Sequence, residues 1–113
     1  MGEKENIIIK IYDIILYAIP LIGKFPRDQK FIIGDRFENE LLDILEMSVE
    51  AYYTDRSNKL GILKKVNIKL EKTRYIVRLC NDLKLISQDR YGYLSERLNE
   101  IGKMVGGWIQ SVK

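Results

Sequence analysis

Residues 91–108 read YGYLSERLNEIGKMVGGW. Tyr91, Leu94, Leu98, Ile101, Val105 and Trp108 recur at steps of three and four, with charged and small residues between them. Only a helix brings residues at that spacing onto one face, so this stretch is an amphipathic helix with one continuous apolar stripe. Just upstream, Ser87 is the expected N-cap, and Asp89 falls in the first turn, where the positive end of the helix dipole favours an acid.

Three further helices are expected upstream. The third runs to about Ile86 after a break at Asp55-Arg56-Ser57-Asn58, with Ser57 as its expected N-cap. The second spans about Arg27 to Thr54, with Ile33, Phe37, Leu41, Ile44, Leu45, Val49 and Tyr52 as its apolar positions. The first covers about Glu3 to Ile22, with Ile8, Ile11, Ile15, Leu16 and Ile19 as its apolar positions; its run of isoleucines also fits a strand. Pro20 is expected to kink or end it, and Pro26, after the break at Gly23-Lys24-Phe25, sits where a first-turn proline opens the next helix. Two long and two medium helices joined by short links imply an all-α fold: one domain over residues 1–113, an up-down-up-down antiparallel four-helix bundle.

Composition narrows the function classes. The chain has no histidine and a single cysteine, Cys80. Ser–His and Cys–His pairs, imidazole metal sites and internal disulfides are therefore excluded, and no Gly-rich phosphate loop appears. The expectation is a protein that is not an enzyme and uses no cofactor or metal. The most apolar stretch, residues 7–22, is interrupted by Lys10 and Asp13 and falls short of the roughly 20 residues needed to cross a bilayer. Glu3 and Glu5 stand where a signal peptide needs basic residues. A cytoplasmic location without membrane contact is expected.

Charge is distributed unevenly. Between Arg56 and Arg78 lie eight basic residues (Arg56, Lys59, Lys64, Lys65, Lys69, Lys72, Arg74, Arg78) and one acid, Glu71, on a chain whose net charge is only +3. Asp35 to Asp55 holds seven acids against Arg36 alone. The third helix is thus strongly basic and the second strongly acidic, a surface that can attract phosphates or pair with itself.

Within the basic helix, Leu60, Asn67, Arg74 and Asn81 recur every seven residues, and Leu63, Leu70 and Val77 follow the first three by three. This is a heptad seam with one apolar and one largely polar position. Arg78 borders it, while Ile62, Val66, Thr73, Ile76 and Cys80 form a second, broader apolar face. Asn67 and Asn81 are candidate oligomer-interface residues, because polar seam positions set register between subunits. The same seam fits a water-filled channel, or a core edge with the arginine heads in water. Gly102, Gly106 and Gly107 cost helix stability and point to close approach of another backbone, or for Gly107 to fraying near the chain end. Trp108 is a candidate core or oligomer-interface anchor. Tyr75 is the one aromatic of the basic helix, so base stacking is expected to be minor.

Three blocks together resemble the Avd-like four-helix bundle family, the accessory variability determinants of diversity-generating retroelements. The first is Lys24-Phe25-Pro26-Arg27-Asp28-Gln29-Lys30-Phe31 leading to Gly34-Asp35-Arg36; the second is Asn67-Ile68-Lys69-Leu70-Glu71-Lys72-Thr73-Arg74-Tyr75-Ile76-Val77-Arg78-Leu79. The third comprises Tyr93-Leu94-Ser95-Glu96, Glu100-Ile101-Gly102-Lys103-Met104 and Gly106-Gly107-Trp108-Ile109. The similarity covers about residues 8–112. It implies a non-enzymatic four-helix protein that assembles as a barrel-shaped homopentamer. Such a protein binds nucleic acid and the retroelement reverse transcriptase, and supports mutagenic copying of a template RNA into cDNA; RNA and RNA–DNA hybrids fit a phosphate-binding surface of this kind better than a specific duplex site. The family's basic pair falls on Arg74 and Arg78.

The expected nucleic-acid surface is accordingly Arg74, Arg78, Lys64, Lys65, Lys69 and Lys72, binding phosphates with counterion release and little sequence preference. The alternative is the related four-helix protein of ribosomal RNA intervening sequences. In that reading the chain is a structural oligomer whose acidic and basic helices pair with each other.

Overall fold

The computed structural model describes residues 3–113, and the side-chain surroundings of residues 6–113. It contains four helices and no strand among the described residues. They are α1 (Glu3–Ile22), α2 (residues 27–53), α3 (Arg56–Asp82) and α4 (Gln88–Val112). They form a rod 44 × 23 × 21 Å. α1 packs on α2 and α4, and α3 packs on the same two, so α1 and α3 occupy opposite corners. Paired contacts give the directions. Lys10 meets Glu100 while Tyr17 meets Tyr93, and Lys59 meets Trp108 while Arg74 meets Leu98. Rising numbers on one helix meet falling numbers on the next, so neighbours are antiparallel, as the short links require.

The stripe on α4 is buried as its periodicity predicts: Leu94, Leu98, Ile101, Val105 and Trp108 are in the core, with Tyr91 half-buried at its start. α1 is helical throughout, which decides against the strand alternative, but of the five apolar positions named for it only Ile11 is fully buried. Ile7, Ile11, Ile14, Ala18, Leu21 and Ile22 are buried, whereas Leu16 is 58% and Ile19 37% exposed. The cause is that α1 carries two apolar stripes. Ile9, Tyr12, Leu16 and Ile19 recur at the same three–four spacing on the outer side, and periodicity cannot say which stripe faces inward. On α2, Phe37, Leu41 and Ile44 are buried as expected; Ser48 and Ala51 join them, and Val49 is exposed.

α2 is composite. An opening turn (Arg27–Gln29) leads through a π-helical turn (Lys30–Gly34) into a regular α-helix (Asp35–Tyr53). Pro26 is the N-cap rather than the first helical residue, its carbonyl accepting from the Lys30 amide at 2.8 Å. Gly34 is buried where the ends of α1 and α2 close on each other. A Cβ there would stand 2.9 Å from the Ile22 Cγ2 methyl, closer than packing allows.

The ends of α3 also differ from expectation. Its N-cap is Asp55, not Ser57: the Asp55 carbonyl accepts from the Lys59 backbone amide, and its carboxylate accepts from the Ser57 hydroxyl at 2.5 Å and the Asn58 side-chain Nδ2 at 2.9 Å. Those two hydrogen bonds hold the Asp55 carboxyl below its ordinary pKa. At the other end α3 stops at Asp82, not Ile86. Lys84 takes a left-handed conformation (φ 59°), the Leu85 amide donates back to Cys80 and the Lys84 amide to Asn81. This is a Schellman closure with lysine where glycine is usual. Ser87 caps α4 as expected, accepting from the Arg90 amide at 3.2 Å.

Candidate nucleic-acid interface

The rotation of α3 about its axis decides which of its cations reach outward. Leu63, Val66, Leu70, Thr73, Val77 and Cys80 are buried, alternating by three and four. The two apolar stripes distinguished in the sequence therefore merge into one core face, built from Leu63, Leu70 and Val77 together with Val66, Thr73 and Cys80. Thr73 satisfies its hydroxyl by donating to the Lys69 carbonyl at 2.8 Å, and burial pushes the Cys80 thiol up to about 11. The remaining surface of α3 divides into a flank toward α2, an outer face and a flank toward α4.

On the flank toward α2, Lys69 reaches two acids, Asp43 at 3.2 Å and Glu40 at 3.5 Å. The hydrogen bond to Asp43 raises the ammonium pKa against the opposing effect of burial, and the Glu40 charge adds to the rise. Lys69 is thus neutralised by the neighbouring helix, unlike Lys64, Lys65, Lys72 and Arg78 of the expected set. On the outer face, Lys64, Lys65 and Lys72 are exposed and make no ion pair among the described residues. Ile68 and Tyr75 stand exposed on the same face.

The flank toward α4 is a cleft of about 520 Å³. Arg74, Tyr75 and Arg78 line it from α3, and Tyr91, Ser95 and Asn99 from α4, with Glu71, Glu96 and Leu98 completing the wall. Arg74 is held in place: its Nη1 is 3.4 Å from the Glu71 carboxylate and its Nη2 donates to the Leu98 carbonyl at 3.4 Å. Its Nε is buried without a partner. Gly102 makes this geometry possible, since a Cβ there would run into the Arg74 guanidinium. The close approach expected at Gly102 is therefore that of an arginine side chain, not of another backbone. Around Gly106 and Gly107 the chain leaves open space. Arg78 is exposed and makes no ion pair among the described residues.

Of the candidate interface residues, Asn67 is exposed and Asn81 half-buried. Trp108 is 3% exposed and lies in its own bundle's core, with Lys59 over its ring at 5.9 Å. Core packing accounts for it. Sequence reasoning missed that Tyr91, Ser95 and Asn99 line the same cleft as Arg74 and Arg78. By spacing Tyr91 belongs to the core stripe, yet it lies half-buried at the stripe's end, where α3 and α4 leave the cleft. Gly102 alone carried a signal for this cleft.

Among the described residues no group of three metal-ligating side chains converges, and no helix is long and apolar enough to cross a membrane.

Comparison with known proteins agrees with the architecture. A family model described as bAvd-like matches residues 7–112. A crystal structure of a protein of unknown function from the S23 ribosomal protein family of Bacteroides thetaiotaomicron superposes with a TM-score of 0.87 at 17% identity. The alignment covers 96% of this chain and 99% of that one. At that identity the likeness speaks for the fold alone. No curated protein matches the chain.

Proposed function

This chain belongs to the bAvd-like family, and on that premise we propose that it is a non-enzymatic accessory protein of a diversity-generating retroelement. It acts as an oligomer that binds template RNA and its cDNA copy and presents them to a reverse transcriptase. The observation that carries the reading is the disposition of cations on α3. Arg78, Lys64, Lys65 and Lys72 are open to solvent without internal partners, and Arg74 is braced beside Arg78 at the mouth of a cleft. Cations left unpaired on a folded surface are those that can exchange counterions for phosphates.

Assembly is supported by a different surface. Ile9, Tyr12, Leu16 and Ile19 on α1, with Leu42 and Val49 on α2, leave apolar area exposed beyond the scattered single residues usual on a monomer. Closing such subunits into a ring multiplies the charge of α3 and with it the local phosphate potential. The acids of α2 that Lys69 does not engage, among them Asp35, Glu46 and Glu50, remain to dock a basic polymerase surface.

The pairing of Lys69 with Glu40 and Asp43 favours a second reading, a structural oligomer of the ribosomal RNA intervening-sequence type whose charges serve packing. RNA binding across a salt series separates the two, with wild type compared against Arg74→Ala/Arg78→Ala and the native mass monitored. The accessory role requires steep salt dependence, with the slope of log K against log salt reduced by about 1.4 in the double variant, about 0.7 per lost single-strand contact. An intact oligomer that fails to bind RNA at physiological salt would transfer the charges to assembly.

A further inference from the structure

We propose that the cleft between α3 and α4 holds one unpaired nucleotide of a single strand, its base against Tyr75 and Tyr91 and its phosphate on Arg78. The proposal rests on the nucleic-acid reading above and gives it a site and a strand preference. The basic helix contributes one aromatic, too few for stacking to matter. Tertiary packing changes that count by bringing Tyr91 of α4 into the same cleft as Tyr75. Tyr75 is 68% exposed, so its ring is open to a partner entering from solvent.

The chemistry of the walls fits a nucleotide. The volume of about 520 Å³ falls within the roughly 300–1,000 Å³ typical of small-ligand sites. The lining sets two arginines against two glutamates, and Glu96 is largely exposed. Glu71 is paired with Arg74 at 3.4 Å, and Glu96 lies 3.9 Å from Arg97. Arg78 is the arginine of the cleft that makes no ion pair among the described residues, and the buried Arg74 Nε is a donor still lacking an acceptor. Ser95 and Asn99, one helical turn apart on α4, supply hydroxyl and amide groups for a base edge. A base stacked inside a duplex cannot reach two tyrosines in a cleft, so the site selects single strands, loops or strand ends.

Two other cavities lack this combination. The one between α1 and α4, near Lys10 and Arg97, measures about 90 Å³ and is bridged by the Lys10–Glu100 ion pair. The one bounded by Ile33, Arg36, Ile76 and Leu79 offers a single charge and no aromatic ring.

The test uses the full chain and a short single-stranded RNA carrying one 2-aminopurine, with the matched RNA duplex as control. Binding to wild type is expected to quench 2-aminopurine emission by stacking, and Tyr75→Phe/Tyr91→Phe should behave the same. Tyr75→Ala/Tyr91→Ala should lose the quench and about tenfold of single-strand affinity, with duplex affinity unchanged within about twofold. Tyr75→Ala alone, at a largely exposed position, gives the same readout if the double variant fails to fold. An alanine variant that binds and quenches like wild type, while Arg74→Ala/Arg78→Ala still weakens binding, would overturn the cleft and leave the accessory role standing. Absence of RNA binding by every form would overturn both.

Discussion

The two flanks of α3 start from the same material, basic residues bordering one core face, and end in opposite states. Toward α2, Lys69 meets Asp43 and Glu40 and is neutralised within the bundle. Toward α4, Arg74 is folded back over Gly102, and Arg78 is left open beside two tyrosines. The difference lies in the facing helix: α2 sets carboxylates opposite the lysine, whereas α4 sets a missing side chain, a hydroxyl and an aromatic ring. Counting cations along a helix therefore overstates its capacity for phosphate. What counts is the number left uncompensated after packing.

The comparison breaks most decisively at the open flank. Arg74→Ala/Arg78→Ala is expected to weaken RNA binding about 100-fold at low salt, on the order of 1.4 kcal/mol per charge-assisted contact, measured by anisotropy with native mass as the folding control. Gly102→Ala should give a smaller loss, about tenfold, by displacing the Arg74 guanidinium. Because that guanidinium is the end of a flexible side chain, the fold should survive. Replacing a mid-helix glycine also favours the helix by up to about 1 kcal/mol, so thermal unfolding should not fall while binding does. A parallel loss of both would mean that Gly102 serves packing instead.

Smaller effects sharpen the contrast. Lys65→Ala and Lys72→Ala, on the outer face, should each cost about two- to threefold in affinity and about 0.7 in salt slope. Lys69→Ala should leave RNA affinity within about twofold and lower stability by at most about 1 kcal/mol in chemical denaturation, since the ion pair is partly exposed. Its pH dependence has a defined sign. The Lys69 pKa is raised in the folded state, so its contribution is complete below the ordinary lysine value of 10.5 and fades as pH rises through the higher folded value. Wild type and Lys69→Ala should converge in stability only in strong alkali. If Lys69→Ala weakened RNA binding as much as the Arg78 change, the distinction between the flanks would fail.

The same lesson applies to the apolar faces. α4 was legible because it carries one stripe: Leu94, Leu98, Ile101, Val105 and Trp108 have no competing apolar face, and all are buried. α1 was legible as a helix but not in its orientation, because Ile9, Tyr12, Leu16 and Ile19 repeat the spacing of Ile7, Ile11, Ile14 and Ala18. Spacing reports that a face exists, and a second face of equal quality leaves the choice to the neighbours. α3 showed the converse error. Leu63, Leu70 and Val77 looked separable from Val66, Thr73 and Cys80, yet a three–four alternation on a straight helix is a single strip of surface. Asp55 displaced Ser57 as N-cap because the chain entered the helix two residues earlier than the turn residues implied.

By itself the sequence determined the four helices, their order, the buried stripe of α4, the cap at Ser87 and the concentration of positive charge on α3. These are local properties, set by periodicities and capping chemistry that act within a few residues. Only the tertiary structure decided which stripe of α1 faces inward, that Lys69 is neutralised, that Gly102 makes room for Arg74, and that Tyr91 joins Tyr75 across a cleft. Each of these depends on residues of another helix, which for the last three stand at least 16 positions away in the chain. Helical periodicity carries no information about which neighbour will stand opposite.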